Sequence, residues 1–222
     1  MINIIIRQAK PKDLNQICEI ANQIKINYNN PQKTGFLVYV LTPQEYRLRI
    51  KLSDFFYVAE ENNQIIGFLM CYDNKNLQKL LKNGKLNHED QLVKTIASKK
   101  EPYVFGDQIA IIPNKAQLGI GKLFMKNLFK DMKTENINSL YVGILHKPAL
   151  NTASERFCEK QGFIMQEKIT NSDKHTWGIY KLELRPLNKT KITNSLECML
   201  ASEEVLAENW LSKEDEKAWK EL

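Results

Sequence analysis

The amino-acid sequence predicts a mixed α/β fold, and two observations carry that prediction. Apolar residues switch between strand-like and helix-like spacing in the order β-α-α-β-β-insert-β-α-β-α-β-β, which is not a regular βαβ repeat. The hydrophobic share of 43% in 222 residues is enough for a core in one domain with extensions. The sequence shows no internal repeat and no linker rich in proline or glycine.

The N-terminal part of the chain predicts one strand and two helices. Residues 2–8, INIIIRQ, are rich in β-branched side chains and therefore predict a strand. A helix follows from about Lys12, because apolar residues then recur at helical spacing. A second helix is predicted to begin after Thr42, which can cap it, with Pro43 at its first position and Glu45 closing a capping box.

A β-hairpin and an insert are predicted next. The segments 55–60 and 65–72 have strand character and flank a polar turn at 61–64. Gly67, inside the second of these strands, indicates a bulge. Residues 74–100 are rich in lysine and helical in tendency, so they predict a helical insert between the hairpin and the next strand.

The remainder of the predicted domain alternates strands and helices. One helix has an apolar face, and the next ends at Gly162, a common residue type after a helix C-terminus. The predicted elements are a strand at 103–112, a helix at 118–132, a strand at 139–145, a helix at 151–160, and a final strand pair at 163–169 and 176–184.

The stretch PNKAQLGIGKLF at 113–124 places two glycines at the head of an apolar helix. A helix N-terminus presents unpaired N–H groups and the positive end of the helix dipole. With Gly119 and Gly121 removing side chains, the amides from Gln117 to Lys122 can cradle a phosphate, and Lys122 adds charge. The alternative is that the glycines only ease a tight turn. The P-loop pattern and the third glycine of a dinucleotide fingerprint are absent.

Two motifs identify a family resemblance. AQLGIG at 116–121 resembles the pattern (Q/R)-x-x-G-x-(G/A), with Ala116 at the first position. NTASERFCEKQGF at 151–163 resembles N-x-x-(A/S)-x-x-F-(Y/H)-x-x-x-G-F, with Cys158 in place of the tyrosine or histidine. In these motifs and in element order, residues 4–184 resemble the GNAT family of acetyl-CoA-dependent N-acetyltransferases. The resemblance implies a mostly antiparallel central sheet of six to seven strands flanked by helices.

The resemblance also implies a domain division and a co-substrate, acetyl-CoA. Residues 1–185 would form the acetyltransferase domain, with 74–100 as its insert and 186–222 as an acidic tail. The residues implied to bind acetyl-CoA lie in the glycine loop, the strand before it and the later helix; they are Ile109, Ala110, Ile111, Gln117, Leu118, Gly119, Ile120, Gly121, Lys122, Asn151 and Ser154. Lys115 or Gln117 could compensate for Ala116, and Asn151 is alternatively an ordinary helix cap.

The mechanism implied by the resemblance is direct attack of an amine on the thioester. Asp107, on the strand before the loop, is the first candidate base, the alternative being a solvated aspartate at a strand end. His146 is the second candidate base and is otherwise a loop histidine. Cys158 is the candidate acid and is otherwise a cysteine packed in a helix. Main-chain N–H groups of the strand at 109–111 would polarise the thioester carbonyl.

The acyl acceptor is left open, because the family builds its acceptor pocket from variable segments, here 25–54 and 74–100. A small amine, an amino acid, and a protein N-terminus or lysine are all compatible. A further alternative is a toxin-type acetyltransferase that acts on aminoacyl-tRNA and whose activity the acidic tail restrains. The departures at Ala116 and Cys158 keep a non-catalytic CoA-binding or sensing module as an alternative. A nucleic-acid-binding protein is disfavoured by the absence of a recognised motif, so tRNA is considered only as an acceptor.

Composition sets the expected environment. The four cysteines and three histidines have no metal-ligand spacing and form no CxxC pair, so we expect neither a metal cofactor nor a disulfide framework. The N-terminus lacks the pattern of a signal peptide, and no apolar run is long enough to span a bilayer. The protein is therefore expected to be cytoplasmic, without membrane partners.

Charge is distributed unevenly along the chain. Residues 193–222 contain eight acidic side chains and three lysines, which gives this segment a net charge of −5. Because the whole chain has a net charge of +6, the other 192 residues together carry a net charge of +11. The tail also contains two tryptophans, which favour docking onto another surface. It can fold back on the basic body, bind another chain such as a second copy in a homodimer, or be disordered.

Overall fold

The computed structural model describes residues 4–31, 36–86, 90–116 and 118–184 and confirms the predicted order of elements. The strands are β1 (Ile4–Gln8), β2 (Phe56–Glu61), β3 (Gln64–Asp73), β4 (Tyr103–Ile111), β5 (Ser139–Lys147), β6 (Ile164–Thr170) and β7 (Thr176–Glu183). The helices are α1 (Leu14–Gln23), α2 (Pro43–Leu52), α3 (Asn74–Lys82), α4 (Gln91–Ala97), α5 (Ile120–Thr134) and α6 (Thr152–Lys160). The tail predicted at 186–222 lies outside the described residues, so the domain division stays a prediction.

The strands form one seven-stranded sheet in the order β1-β2-β3-β4-β5-β7-β6. All neighbouring pairs are antiparallel except β4 and β5, which are parallel and are connected through α5. A parallel pair needs such a crossover, whereas the hairpins need only short turns. The mostly antiparallel sheet implied by the family resemblance is therefore confirmed.

Helices cover both faces of the sheet, and the strand periodicity divides the core accordingly. Val58 and Phe68 pack with helices α1 to α4 in one hydrophobic cluster. Their strand neighbours Tyr57 and Leu69 point to the other face, where they pack with α5 and α6. The central strands are consequently buried on both sides, which explains their nearly continuous apolar sequence.

Local sequence signals produce the predicted helix start and a tighter hairpin than predicted. The Thr42 hydroxyl accepts the Glu45 N–H at 3.3 Å, and the Glu45 carboxylate accepts the Thr42 N–H at 2.7 Å, which confirms the capping box. The hairpin turn contains only Asn62 and Asn63, with φ values of 50° and 65°. Asparagine tolerates these values well, so the strands extend one residue further into the turn than expected.

Within the insert at 74–100, the described residues form helices α3 and α4, as predicted, and α4 packs against β5. Asp73 caps α3 and Asp90 caps α4 through their side-chain oxygens. Leu92 of α4 lies against Gly143 of β5, where an added Cβ would be 2.6 Å from a Leu92 methyl group. Among the described helices, none is long and apolar enough to cross a membrane.

Candidate active site

A cleft opens in the middle of the sheet where two strands separate. The parallel ladder between β4 and β5 runs from the pair Tyr103/Ser139 to the pair Gly106/Val142, and no pairing continues beyond it among the described residues. The resulting cavity has a volume of about 480 Å³. One wall comes from the second half of β4, including Asp107, and the other wall includes Gly143 of β5. A separation of strands is therefore the feature that creates the site.

The strand alternation decides which main-chain groups of β4 face the cleft. The Ile112 N–H donates to the Ile66 oxygen of β3 at 3.0 Å, so the alternate residues Ile109 and Ile111 direct their main-chain groups away from β3. Both line the cleft. Ala110 faces β3 instead and is 1% exposed. Of the three strand residues predicted to bind the co-substrate, two thus present main-chain groups to the cleft.

The first glycine of the loop has a left-handed backbone. Gly119 is the N-cap of α5 with a φ of 70°, and a Cβ added there would meet no atom within 4 Å. A Cβ on Gly121 would lie 3.3 Å from the ring of Phe157 in α6. Gly119 therefore leaves open space at the helix N-terminus, whereas Gly121 also permits close packing of α5 on α6.

The amide cradle at the start of α5 is narrower than the sequence predicts. The Leu118 N–H donates to the Lys115 oxygen at 3.2 Å, and the Lys122 N–H donates to the Gly119 oxygen at 2.9 Å. Within the described part of the chain, the amides of Gly119, Ile120 and Gly121 have no hydrogen-bond acceptor. These three amides are available to an anion, whereas those of Leu118 and Lys122 are already used. Gln117, also predicted to contribute, lies outside the described residues.

The start of α6 forms another part of the cleft wall. The Asn151 side-chain oxygen accepts the Ser154 N–H at 3.0 Å, so Asn151 is an N-cap as the alternative interpretation proposed. Both residues line the cleft together with Ala116, which precedes the glycine loop. The Lys115 ammonium is 2.7 Å from a Glu61 carboxylate oxygen. This ion pair engages the Lys115 side chain, so its compensation for Ala116 stays a prediction.

Asp107 lies in the cleft at a β-bulge. The β3–β4 pairing passes from Met70/Gln108 to Cys71/Gly106, which leaves Asp107 as the extra residue of β4. Its carboxylate accepts a hydrogen bond from the Tyr72 hydroxyl at 2.9 Å. Asp107 is exposed to the cleft, but many protein atoms lie around its carboxyl on the other sides, and the resulting loss of hydration raises the pKa of the carboxyl to about 6. The Tyr72 hydrogen bond and the charge of Arg49 lower the pKa, whereas Asp90 raises it further.

The two other predicted catalytic residues do not join Asp107. Neither His146 nor Cys158 lines the cleft. His146 lies 3.2 Å from the Tyr180 hydroxyl, which donates to Glu155 at 2.7 Å, and burial lowers the pKa of the imidazole. Cys158 is 7% exposed among apolar side chains, and burial raises the pKa of its thiol to about 12. These environments favour the packing alternative for Cys158 and place His146 with Tyr180 and Glu155, outside the residues that line the cleft.

Another part of the cleft wall contains aromatic residues to which sequence reasoning assigned no specific role; for Trp177 it predicted only a place in the core or the cleft lining. The rings of Tyr39 and Trp177 stack with their centroids 6.2 Å apart, and both residues line the cleft, as does Asp90. The Tyr28 hydroxyl is 2.7 Å from a His175 ring nitrogen, which connects the loop after α1 to the β6–β7 turn. The segments 25–54 and 74–100 therefore do contribute to this wall. No local sequence pattern joins these distant segments, so only the tertiary structure reveals this aromatic part of the wall.

Among the described residues, no group of three or more histidine, cysteine, aspartate or glutamate side chains could hold a metal ion. The site consists instead of a cleft between strands, three available amides at a helix N-terminus, and one carboxylate held by a buried tyrosine.

Comparison with known proteins agrees with this geometry. Residues 18–163 match the family model described as Acetyltransferase (GNAT) family. Ard1 from Thermoplasma volcanium aligns with a TM-score of 0.60 at 14% identity, covering 82% of this chain and 99% of that one. Arabidopsis thaliana Naa50, in complex with the bisubstrate analogue CoA-Ac-MVNAL, aligns with a TM-score of 0.56 at 13% identity over 82% and 99% of the two chains.

A further solved structure, yncA from Salmonella typhimurium with its cofactor acetyl-CoA, aligns with a TM-score of 0.54 at 16% identity over 83% of this chain and 95% of that one. At these identities, the structural likenesses show the shared fold alone. No curated protein matches the chain.

Proposed function

Because the chain belongs to the GNAT acetyltransferase family, we propose that it transfers the acetyl group of acetyl-CoA to a primary amine by direct attack in a ternary complex. The observation that carries the proposal is one cleft lined by Ala116, which precedes the glycine loop, by Ser154 at the start of α6, and by Asp107. Such a cleft can hold the pantetheine arm of acetyl-CoA and, beside it, the side chain that removes a proton from the acceptor amine.

The residues around the glycine loop fit acetyl-CoA. The diphosphate needs N–H donors and open space, and both exist where Gly119 begins the 15-residue helix α5. The main-chain groups of Ile109 and Ile111 can hydrogen-bond the amide-containing pantetheine arm, much as a neighbouring strand would. Acetyl-CoA supplies the activated acetyl group as a thioester.

The chain's own residues supply a proton acceptor and main-chain donors. Asp107 accepts the proton of the substrate ammonium, directly or through one water molecule, so that the amine nitrogen can attack. The C–N bond forms, the C–S bond breaks, and the electron pair leaves with the CoA sulfur, which takes up the proton that the attacking nitrogen gives up as the amide forms. A cleft-facing N–H of Ile109 or Ile111 stabilises the charge that develops on the carbonyl oxygen.

The charge of the cleft indicates the kind of amine. The described lining includes the carboxylates of Asp90 and Asp107 and no lysine or arginine, although the chain contains 32 of these basic residues. Such a lining stabilises an ammonium group and repels a carboxylate beside it. We therefore propose an amine without an adjacent carboxylate, such as an alkylamine, an amino-acid amide or a peptide N-terminus, in preference to a free amino acid.

The experiment measures CoA release with matched acceptors, for example alaninamide against alanine. We expect kcat/KM to be higher for alaninamide by at least about tenfold, since an uncompensated charge in such a cleft costs more than 1.4 kcal/mol. The Asp107→Asn variant should lose about 100-fold or more in kcat while its affinity for acetyl-CoA in calorimetry stays unchanged. Binding of acetyl-CoA without turnover of any amine would instead support the sensing-module alternative.

A further inference from the structure

A buried arginine lies behind the candidate base. Arg49 of α2 is 1% exposed, and its Nη2 group donates to the Lys85 oxygen at 2.6 Å. Its Nε and Nη1 groups have no hydrogen-bond partner in the described part of the chain. Burying a guanidinium without direct carboxylate contact costs several kcal/mol, so a nearby opposite charge is needed to offset it.

Tyr72 connects this arginine to the cleft. Its side chain, at the end of β3, is 0% exposed, and its hydroxyl donates to Oδ2 of Asp107 at 2.9 Å. Burial raises the pKa of Tyr72 well above its ordinary value, so the hydroxyl stays protonated and remains a donor. The charge of Arg49 acts on both neighbours and lowers the pKa values of Tyr72 and Asp107. A guanidinium, a hydroxyl and a carboxylate thus follow one another from the core to the cleft.

We propose that Arg49 and Tyr72 are positioning residues for the transfer reaction: Tyr72 holds Oδ2 of Asp107 so that Oδ1 faces the cleft as the proton acceptor, and Arg49 supplies the positive charge behind them. Among the described residues, Oδ1 has no hydrogen-bond partner. The inference rests on the proposed function, because the orientation of this carboxylate matters to an attacking amine.

The titratable and charged groups that face Asp107 come from α2, β3 and the segment before α4, and apart from Arg49 and Tyr72 they do not supply this support. They are Tyr46 and Arg49 on α2, Cys71 and Tyr72 on β3, and Asp90 before α4. Burial raises the pKa values of Tyr46 and Cys71, which therefore stay neutral, and Asp90 is negative. Within this set only Arg49 is positive. Removing the Tyr72 hydroxyl or the Arg49 charge should therefore move the pKa of Asp107 upward.

The decisive variant is Tyr72→Phe, with Tyr103→Phe as its control, because the Tyr103 hydroxyl is buried without a partner. We expect Tyr72→Phe to raise the Asp107 midpoint above its value of about 6 in carboxyl ¹³C NMR, with Asp107→Asn identifying the resonance. The acid limb of kcat/KM should move the same way. We expect kcat to fall about tenfold and KM for acetyl-CoA to stay within about twofold. Tyr103→Phe should change none of these quantities.

A second pair of variants tests the charge. Arg49→Lys keeps a positive group and should shift the Asp107 midpoint less than Arg49→Met does; if either variant fails to fold, Tyr72→Phe still decides. An unmoved midpoint in Tyr72→Phe would overturn the inference. The NMR titration needs no turnover, so absence of acetyl transfer in the wild type would reject the proposed function separately.

Discussion

At the scale of single residues, burial decides between roles that sequence leaves open. Cys158 was a candidate acid because it replaces a tyrosine or histidine of the family motif. Its thiol has a pKa of about 12, since burial disfavours the thiolate and Glu159 adds negative charge. An ordinary thiol has a pKa near 8.5. The Cys158 thiol is a weaker acid than that, so transfer of its proton to a departing thiolate is unfavourable. The residue therefore suits packing better than proton donation.

We predict that Cys158→Ala lowers kcat by less than about tenfold and the free energy of unfolding by about 1 kcal/mol, because a small buried side chain is lost from a packed cluster. Steady-state kinetics and urea unfolding measure the two quantities. A fall in kcat beyond about 100-fold with unchanged affinity for acetyl-CoA would show that Cys158 is the acid after all.

Asp107 could be proposed from sequence, whereas its partners could not. A carboxylate on the strand before the glycine loop, together with the family resemblance, was enough to name it. Tyr72 and Arg49 lie 35 and 58 positions away in sequence and meet it only through the β3–β4 register and the packing of α2. Gly106, directly before Asp107 inside β4, is the local signal of the bulge that makes Asp107 the extra residue in the ladder, but it does not say which partner strand is involved. Register and bulges depend on long-range pairing, which a single sequence does not display.

At the scale of elements, the order of strands and helices was predictable because their periodicity is strong and their caps are local. The amides of the α5 N-terminus were predicted less well. A short turn of 3-10 helix at Pro113–Lys115 brings the Lys115 oxygen to the Leu118 N–H, which removes that amide from the cradle. The glycine pattern indicates a helix N-terminus without side chains at two of its positions. The hydrogen bonds of the preceding turn determine how many main-chain N–H groups remain available to an anion.

The two glycines of the loop should respond differently to substitution. Gly119→Ala places a side chain at a φ of 70° and into the open space before the amides, so we expect about a tenfold or greater rise in the Kd for acetyl-CoA. Calorimetry measures the affinity. Gly121→Ala instead places a methyl group 3.3 Å from the ring of Phe157. We therefore expect this variant to lower the free energy of unfolding more than it weakens the binding of acetyl-CoA.

Gly84→Ala is the matched control for backbone strain, since Gly84 has a φ of 61° and also has no atom within 4 Å of an added Cβ. Gly84 is not among the residues that line the cleft. Both alanine variants should lose about 1 kcal/mol of stability from the left-handed backbone, and only Gly119→Ala should weaken acetyl-CoA binding. Equal affinities in the two variants would contradict the assignment of the loop to the diphosphate.

At the scale of the whole molecule, charge has opposite signs in different places. The sequence outside residues 193–222 carries +11, the tail carries −5, and the described lining of the cleft contains carboxylates without lysine or arginine. Apart from the buried Arg49, the basic charge of the described residues lies outside the cleft lining, where it can attract a large anion. The cleft can still select an ammonium group locally, because short-range interactions in a partly enclosed site are screened less than those at the surface.

This distribution leads to a prediction for the acidic tail, which lies outside the described residues. If the tail masks a basic surface, deleting residues 193–222 should raise the salt concentration at which the protein elutes from a polyanion column and should change KM for the acceptor. A full-length variant with the eight acidic tail residues replaced by their amides separates charge from chain length.

If the acceptor is an aminoacyl-tRNA, we expect in addition that expression of the deletion variant is toxic. Unchanged elution, kinetics and oligomer size in both variants would show that the tail does not act on the rest of the protein. Removing five net negative charges from a segment that masks a basic surface must change the electrostatic potential of that surface.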